Sequence, residues 1–152
     1  MKLFNKIFII FLFSTLSIFA QKIEQTEFYN AVGMEFTFVK VLMGGEPNSV
    51  YVDEDSIEAA YFYDDGSFFV FQVLDGVVKR AANGLLCKTF EKAKNIYIAV
   101  GAYLDHQGFE LVSVYGEGVL VKKGTLYVMS TLQYNSIAKV YRIMLVAYEK
   151  SD

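Results

Sequence analysis

The chain has 152 residues, of which 54% are hydrophobic and 16% aromatic, and its formal net charge is −3. A negative net charge argues against nucleic acid and against an anionic membrane surface as partners, because both require concentrated positive charge. With one cysteine and one histidine, the sequence also lacks the residues for an internal disulfide or for a zinc site of nitrogen and sulfur ligands.

Residues 1–20 predict a secretory signal peptide. MKLFNKIFIIFLFSTLSIFA starts with Lys2 and Lys6, continues with an apolar run over 7–13 and ends at Ala20. The run is shorter than the roughly 20 residues that a membrane-spanning helix needs. We therefore expect cleavage before Gln21 and export to the periplasm or the extracellular space. The mature chain then carries 12 basic and 17 acidic residues, and no later segment predicts a transmembrane helix.

Turn dipeptides recur along residues 21–152, mostly eight to twelve residues apart, which predicts one all-β domain of short antiparallel strands joined by hairpins. The predicted turns are Asp65-Gly66, Asp75-Gly76, Asn83-Gly84, Asp105 to Gly108, Gly116 to Gly118, Lys123-Gly124 and Asn135-Ser136. The runs between them, about nine or ten strands, cover residues 34–42, 49–52, 57–63, 67–74, 77–82, 96–104, 109–115, 119–132 and 137–148. Residues 22–32 fit a short helix or a loose arm, and residues 85–95 fit either a helix or a strand. We find no linker and no internal sequence repeat.

The stretch YVDEDSIEAAYFYDD is strongly acidic, which suggests two kinds of chemistry, calcium binding and glycan hydrolysis. Its carboxylates are Asp53, Glu54, Asp55, Glu58, Asp64 and Asp65. A calcium loop starting at Asp53 would place Ile57 and Glu58 where a ligand and a turn glycine belong, so the calcium template fails. Paired carboxylates can also hydrolyse glycans, but exposed turn acids lack the apolar surroundings that a general acid needs. A solvated loop and hairpin tip is the favoured interpretation.

Residues 61–72, YFYDDGSFFVFQ, predict a hairpin that carries six aromatic rings. A two-residue turn at Asp65-Gly66 places Phe62, Phe69 and Phe71 on one dry face. The same turn places Tyr61, Tyr63 and Phe68 on the other face, which is the candidate ligand-binding face. A three-residue turn with Gly66 in a bulge would instead pair Tyr63 with Ser67 and remove this division.

No catalytic residue, metal site or cofactor is predicted. The single histidine, His106, lies in a predicted turn beside Asp105, without the third group of a catalytic triad. Neither a GxGxxG nor a GxxxxGK[ST] phosphate-binding motif is present. Cys87 lies among Leu85, Leu86 and Phe90 and is expected to be buried.

Several predicted strands are apolar on both faces, for example Ile96, Ile98 and Val100 against Tyr97 and Tyr103. A sheet wet on one side would alternate cleanly. Three structures tolerate such strands: a covered two-sheet sandwich, a closed meander barrel, or a domain that buries its outer face in a partner. An outer-membrane barrel is disfavoured because its strands are nearer ten residues long.

In size, export and hairpin spacing the chain is loosely similar to calycin-type barrels, the lipocalins and fatty-acid carriers. It has no tryptophan and so lacks their Gly-x-Trp signature.

The functional prediction is an exported, non-enzymatic β domain that binds an apolar small molecule or a protein partner through an aromatic face. Two alternatives remain open. One is an acid-using hydrolase built on residues such as Asp53, Asp55, Glu58 and Asp105, and the other is an envelope-associated structural protein that forms homo-oligomers.

Overall fold

Eight antiparallel strands form one open sheet in a computed structural model that describes residues 27–116 and 118–150. The strand order across the sheet is β1-β2-β3-β4-β8-β7-β6-β5. In chain order the elements are a 3-10 helix (Phe28–Ala31), α1 (Phe36–Leu42), β1 (Ser49–Val52), β2 (Ile57–Phe62), β3 (Phe68–Leu74), β4 (Val77–Cys87), α2 (Phe90–His106), β5 (Glu110–Tyr115), β6 (Gly118–Lys123), β7 (Leu126–Asn135) and β8 (Val140–Glu149). The mostly-β prediction is confirmed. The predicted signal peptide lies outside the described residues.

The prediction of nine or ten strands in a closed barrel or a two-sheet sandwich is wrong. The sheet is a single layer whose two edge strands, β1 and β5, do not pair with each other. Two segments predicted as strands are helices, and the helices take the place of a second sheet.

Each half of the chain is a helix followed by a four-stranded meander. α1 precedes β1 to β4, and α2 precedes β5 to β8. The two meanders meet in the middle of the sheet, where β4 and β8 pair from Arg80↔Tyr148 to Cys87↔Tyr141. The strand order is therefore the same from either edge, although the sequence shows no repeat.

The helices pack on one side of the sheet, which we call the covered face. In the middle strands, Ala81, Ala147 and Leu145 point to this side and are buried. Against them pack Ala93, Val100 and Leu104 of α2, Val39 of α1, and Phe28 of the 3-10 helix. Burial of apolar surface is the main stabilising contribution in such a layer, so the core lies between the helices and the covered face.

Residues 96–104, predicted as a strand, belong to α2. The side chains that α2 buries fully or in part are Ala93, Ile96, Tyr97, Val100, Tyr103 and Leu104. Steps of three and four residues place them on one helix face. The helix is capped by Thr89, whose Oγ1 accepts a hydrogen bond of 3.4 Å from the Lys92 N–H. Aromatic and β-branched residues suggested a strand, but packing against the sheet decides the conformation.

Residues 34–42, also predicted as a strand, contain the short helix α1. Only Val39 of α1 is fully buried, and Gly44 and Gly45 follow it with positive φ angles, which end the helix. The chain before α1 is hydrogen-bonded to the start of β4. The Val78 N–H donates to the Met34 backbone oxygen at 2.9 Å, and the Gly33 N–H donates to the Val78 backbone oxygen at 2.8 Å. These bonds place α1 against the first meander.

The predicted turn at Asn83-Gly84 lies inside β4, which runs without interruption to Cys87. Gly84 pairs with Phe68 of β3, and the Phe68 ring lies so close to Gly84 that a Cβ there would overlap it. The glycine is therefore used to receive an aromatic ring rather than to turn the chain. Cys87 is a free and buried cysteine, as predicted.

We predict that Gly84→Ala lowers the free energy of unfolding by about 1–3 kcal/mol, the usual cost of overpacking, because the Phe68 ring has to move. Gly101→Ala is the matched control. Gly101 is exposed in α2 with no atom within 4 Å of an added Cβ, so that change should stabilise the helix by about 0.5–1 kcal/mol. Urea denaturation measures both. Equal effects of the two substitutions would contradict this role of Gly84.

Candidate binding surfaces

The hairpin between β2 and β3 has the three-residue turn, not the two-residue turn. The Tyr63 N–H donates to the Ser67 oxygen and the Gly66 N–H to the Tyr63 oxygen, both at 3.0 Å, and Gly66 has a φ of 81°. The Asp65 carboxylate accepts from the Ser67 N–H at 2.9 Å and from its Oγ at 2.6 Å. These hydrogen bonds hold the pKa of Asp65 below its usual value and fix the turn.

With this register, the three residues predicted to share a ligand-binding face lie on two sides of the sheet. Tyr61 pairs with Phe69, so both point to the covered face, where Tyr61 is 5% exposed. Tyr63 packs on the same side, 5.9 Å from the Phe69 ring. Phe68 pairs with Phe62 on the opposite side, at a ring distance of 6.4 Å. The dry face of Phe62, Phe69 and Phe71 required the two-residue turn. With the three-residue alternative, the register shifts by one residue and Phe62 lies on the opposite side of the sheet from Phe69 and Phe71.

Tyr61 joins the first meander to the segment after α1. Its hydroxyl donates to the Gly45 oxygen at 3.0 Å, and its ring meets Phe71 edge-on at 6.0 Å. Burial, and then the Glu46 carboxylate, raise the pKa of Tyr61 to about 12. Burial also raises the pKa of Tyr63, with a further contribution from Asp65. Both tyrosines contribute to the core in the described chain.

The side of the sheet opposite the helices, which we call the open face, is apolar in its middle. Two rows of paired residues cross it from β2 to β6. The first row is Ala60, Val70, Ala82, Val146, Met129 and Leu120, and the second is Phe62, Phe68, Gly84, Met144, Thr131 and Gly118. Phe62 is 57% exposed and Met129 36%, and next to the second row Leu86 is 41% exposed. Within the described residues, both helices and the 3-10 helix pack on the covered face.

Polar side chains border the apolar rows of the open face. The next row across the sheet is Glu58, Gln72, Arg80, Tyr148, Tyr127, Lys122 and Glu110. Beyond the other apolar row, the Arg142 guanidinium donates to the Gln133 amide oxygen at 3.0 Å. The open face thus has an apolar centre and a rim with charges of both signs, as protein interfaces do.

A second surface, the aromatic cleft, lies on the helix side between the first half of α2 and the ends of β5 to β8. The cleft has a volume of about 370 Å³ and is lined by four aromatic rings, Phe90, Tyr97, Tyr134 and Tyr141, with Val114, Val119 and Leu132 among its other wall residues. The Tyr141 ring lies 4.9 Å from Tyr134 and 5.5 Å from Phe90. The Tyr97 hydroxyl donates to the Ser130 backbone oxygen at 3.2 Å. Phe90 and Tyr134 are more than half exposed, so the cleft is open to solvent.

The four carboxylates considered for catalysis are all exposed. Asp53 and Asp55 are exposed in the turn after β1, Glu58 is exposed on β2, and Asp105 is exposed in the last turn of α2 beside His106. Over residues 27–116 and 118–150, no three His, Cys, Asp or Glu side chains group in a way that could hold a metal ion. None of the four carboxylates is buried in the apolar surroundings that a general acid needs.

The cleft residues were not found by sequence reasoning, although one local signal pointed to them. Tyr134 and Tyr141 flank the predicted Asn135-Ser136 turn, and the observed ladder pairs them. Phe90 joins them only because α2 crosses the sheet, and that contact depends on the tertiary fold.

Comparisons with known proteins give no family for the chain. No protein-family model matches it, and no curated protein is significantly similar to it in sequence. Among solved structures it is similar to a cysteine-rich secretory protein from Staphylococcus aureus subsp. aureus Mu50, with a TM-score of 0.46 and 12% identity over 80% of this chain. The matched region is 45% of that protein's length. No helix among the described residues is long and apolar enough to cross a membrane.

We predict that Tyr61→Phe makes the free energy of unfolding less dependent on pH above pH 10. A tyrosine titrates near pH 10 when unfolded, and folding raises the pKa of Tyr61 to about 12. Its stabilising contribution is therefore complete below pH 10 and is lost as the pH rises towards 12. The variant should lose about 1 kcal/mol at pH 8 with the Gly45 hydrogen bond, and its stability should then fall less steeply between pH 10 and 12.

Urea denaturation at several pH values measures the Tyr61 effect. Tyr51→Phe is the control, since Tyr51 is 66% exposed on the edge strand β1. Burial also raises the pKa of Tyr29, so only part of the slope should disappear. Parallel curves for the parent protein and Tyr61→Phe would show that Tyr61 does not contribute.

Proposed function

We propose that the chain is an exported, non-enzymatic domain that binds a protein partner on the open face. The observation that carries the proposal is an apolar centre that extends over six neighbouring strands, with every described helix on the other side. Sheets with one wet face alternate apolar and polar residues, and this sheet does not. Of the three structures that tolerate strands apolar on both faces, burial in a partner fits an open, single-layer sheet.

The width of the open face favours a protein over a small molecule. Six strands spaced about 4.8 Å apart span roughly 24 Å, whereas small ligands are held in concave pockets that surround most of their surface. An exposed apolar patch of this breadth with a polar rim is typical of protein–protein interaction sites. Phe62, Leu86 and Met129 are the anchors that a partner would bury.

The rim would orient the partner. Arg80 and Lys122 lie in the same row as Glu58 and Glu110, so the border has no single sign of charge. Such mixed borders contribute to register and specificity more than to affinity. The partner's surface is therefore expected to be apolar at its centre, with both acidic and basic groups around it.

Export belongs to the proposal and is supported by the lysines and apolar run of residues 1–20. An aromatic-rich patch that is exposed before the partner binds would associate non-specifically. The net charge of −5 expected after cleavage opposes such association by repulsion between copies. The acid-using hydrolase has no comparable support, because its four carboxylates are exposed.

Site-specific photo-crosslinking in cells that export the chain tests the open face. A benzophenone side chain at Phe62 or at Met129 should give one discrete adduct with the partner. The matched controls are Phe38 and Ile98, which are 42% and 57% exposed in the helices and should give no such adduct. After identification by mass spectrometry, the purified partner should bind the parent chain at least tenfold more tightly than Met129→Glu. Adducts at all four positions, or at none, would contradict the proposal.

A second candidate function is binding of an apolar small molecule, and the aromatic cleft favours it. A volume of about 370 Å³ falls within the range of small-ligand sites. The four rings offer stacking surfaces, and no charged side chain lines the cleft among the described residues. Planar, uncharged ring compounds suit such a lining.

A tryptophan reporter tests the cleft, since the chain contains no tryptophan. In Tyr134→Trp, the neutral dye N-phenyl-1-naphthylamine should quench the new fluorescence with saturation at one molecule per chain. Adding Val119→Phe to fill the cleft should weaken binding at least tenfold. The control Ile137→Trp, 95% exposed in the turn between β7 and β8, should show only weak, non-saturating quenching. Equal quenching of the two reporters would rule out a cleft site.

A further inference from the structure

We propose that β5 pairs with β5 of a second copy, so that two sheets join edge to edge around a twofold axis. Within the described residues β5 is bonded only to β6, and alternate N–H and C=O groups of an edge strand point away from the sheet. Its side chains are also uncovered: Leu111, Val114 and Tyr115 are 65%, 64% and 59% exposed. This inference is independent of the function proposed for the open face.

The two edges of the sheet differ in their protection against pairing. β1 is only four residues long and is followed by Asp53, Glu54 and Asp55; short edges and charges are the usual means of blocking association. β5 has six residues with neither lysine nor proline, and Glu110 at its first position is its only charge. β5 is therefore the longer and less charged of the two edges, and of the features that block edge pairing it has only a bulge.

A bulge in β5 makes this edge complementary to itself. The register against β6 shifts between Leu111 and Ser113, with the result that Leu111 pairs with Val121 and Val114 with Val119. Both Leu111 and Val114 therefore point to the helix side of the sheet. Antiparallel pairing centred between Val112 and Ser113 then places Leu111 of each copy beside Val114 of the other. The twofold axis forms this contact twice, and each contact covers two exposed aliphatic side chains.

The same register keeps the charged residue of β5, Glu110, away from its counterpart in the second copy. Glu110 lies beside Tyr115 of the second copy, both on the open-face side. The two Glu110 carboxylates are then at opposite ends of the ladder, roughly 17 Å apart at 3.4 Å per residue, which exceeds the screening length of about 8–10 Å in physiological salt.

A second copy fits this edge because β5–β5 pairing forms a closed dimer, to which no third copy can add through β5. Twofold dimers are the commonest oligomers, and this one leaves only the acid-flanked β1 strands as outer edges. An axis perpendicular to the sheet also sets both open faces on the same side. Pairing of β5 with β1 would instead form open chains and would bring Glu110 close to the acidic turn after β1.

Sedimentation equilibrium tests the dimer from about 1 μM to 1 mM, the range expected for a small interface. The parent chain should shift from monomer to dimer, and Val114→Lys should weaken the association at least tenfold. Val50→Lys is the control on β1, where Val50 is 51% exposed, and it should leave the association unchanged. Circular dichroism must show that both variants fold.

Disulfide trapping keeps the test decisive if Val114→Lys does not fold. A Leu111→Cys/Val114→Cys variant should form covalent dimers under mild oxidation, and Val50→Cys should not; Cys87 is buried in both. A parent chain that is monomeric at every concentration would overturn the proposal. So would a dimer that Val114→Lys leaves intact or that Val50→Lys dissociates equally.

Discussion

The β4–β8 ladder is the interaction on which the other parts of the structure depend. Eight residue pairs join the two meanders between Arg80 and Cys87 on one strand and Tyr141 and Tyr148 on the other. The covered side of this ladder receives α2, the 3-10 helix and the core. Its other side carries Ala82, Gly84, Met144 and Val146 in the centre of the open face. The register of this pair of strands therefore determines which residues are buried on the covered face and which lie on the open face.

The open face follows from an imbalance between the sheet and the helices. The six strands from β2 to β6 across the sheet carry apolar residues on both sides and need two covering layers, and the described chain supplies one. α2 crosses the second meander and leaves the aromatic cleft beside it, while β5 lies beyond the helix with Leu111 and Val114 uncovered. These surfaces have one cause: the sheet offers more apolar area than two helices can cover.

Local signals in the sequence predicted the hairpins well. Gly66, Gly76 and Gly124 adopt positive φ angles in turns, where glycine has no steric cost. Gly84 was predicted as a turn glycine, but it lies within β4, where the Phe68 ring packs against it. The sequence alone does not distinguish these two uses of glycine, because the position of Phe68 depends on the strand pairing. Residues 96–104 of α2 were predicted as a strand because a helix rich in Ile, Tyr and Val has strand-like composition. Residues 85–95, for which helix and strand both remained open, divide between the end of β4 and the start of α2. A two-residue turn places Tyr61, Tyr63 and Phe68 on one face. The hairpin has a three-residue turn, and this single additional residue moves Phe68 to the side opposite the two tyrosines.

We propose that a partner covers the open face, and hydroxyl-radical footprinting of Met129 and Phe62 measures this coverage directly. The labelling rates are compared between the purified chain and the chain in the cells that naturally produce it, with the exposed Tyr51 on β1 as reference. Met129 and Phe62 should react readily in the purified chain and several-fold more slowly in the cells, relative to Tyr51. Equal relative rates in the two settings would show that the open face remains bare, and would contradict a partner bound there.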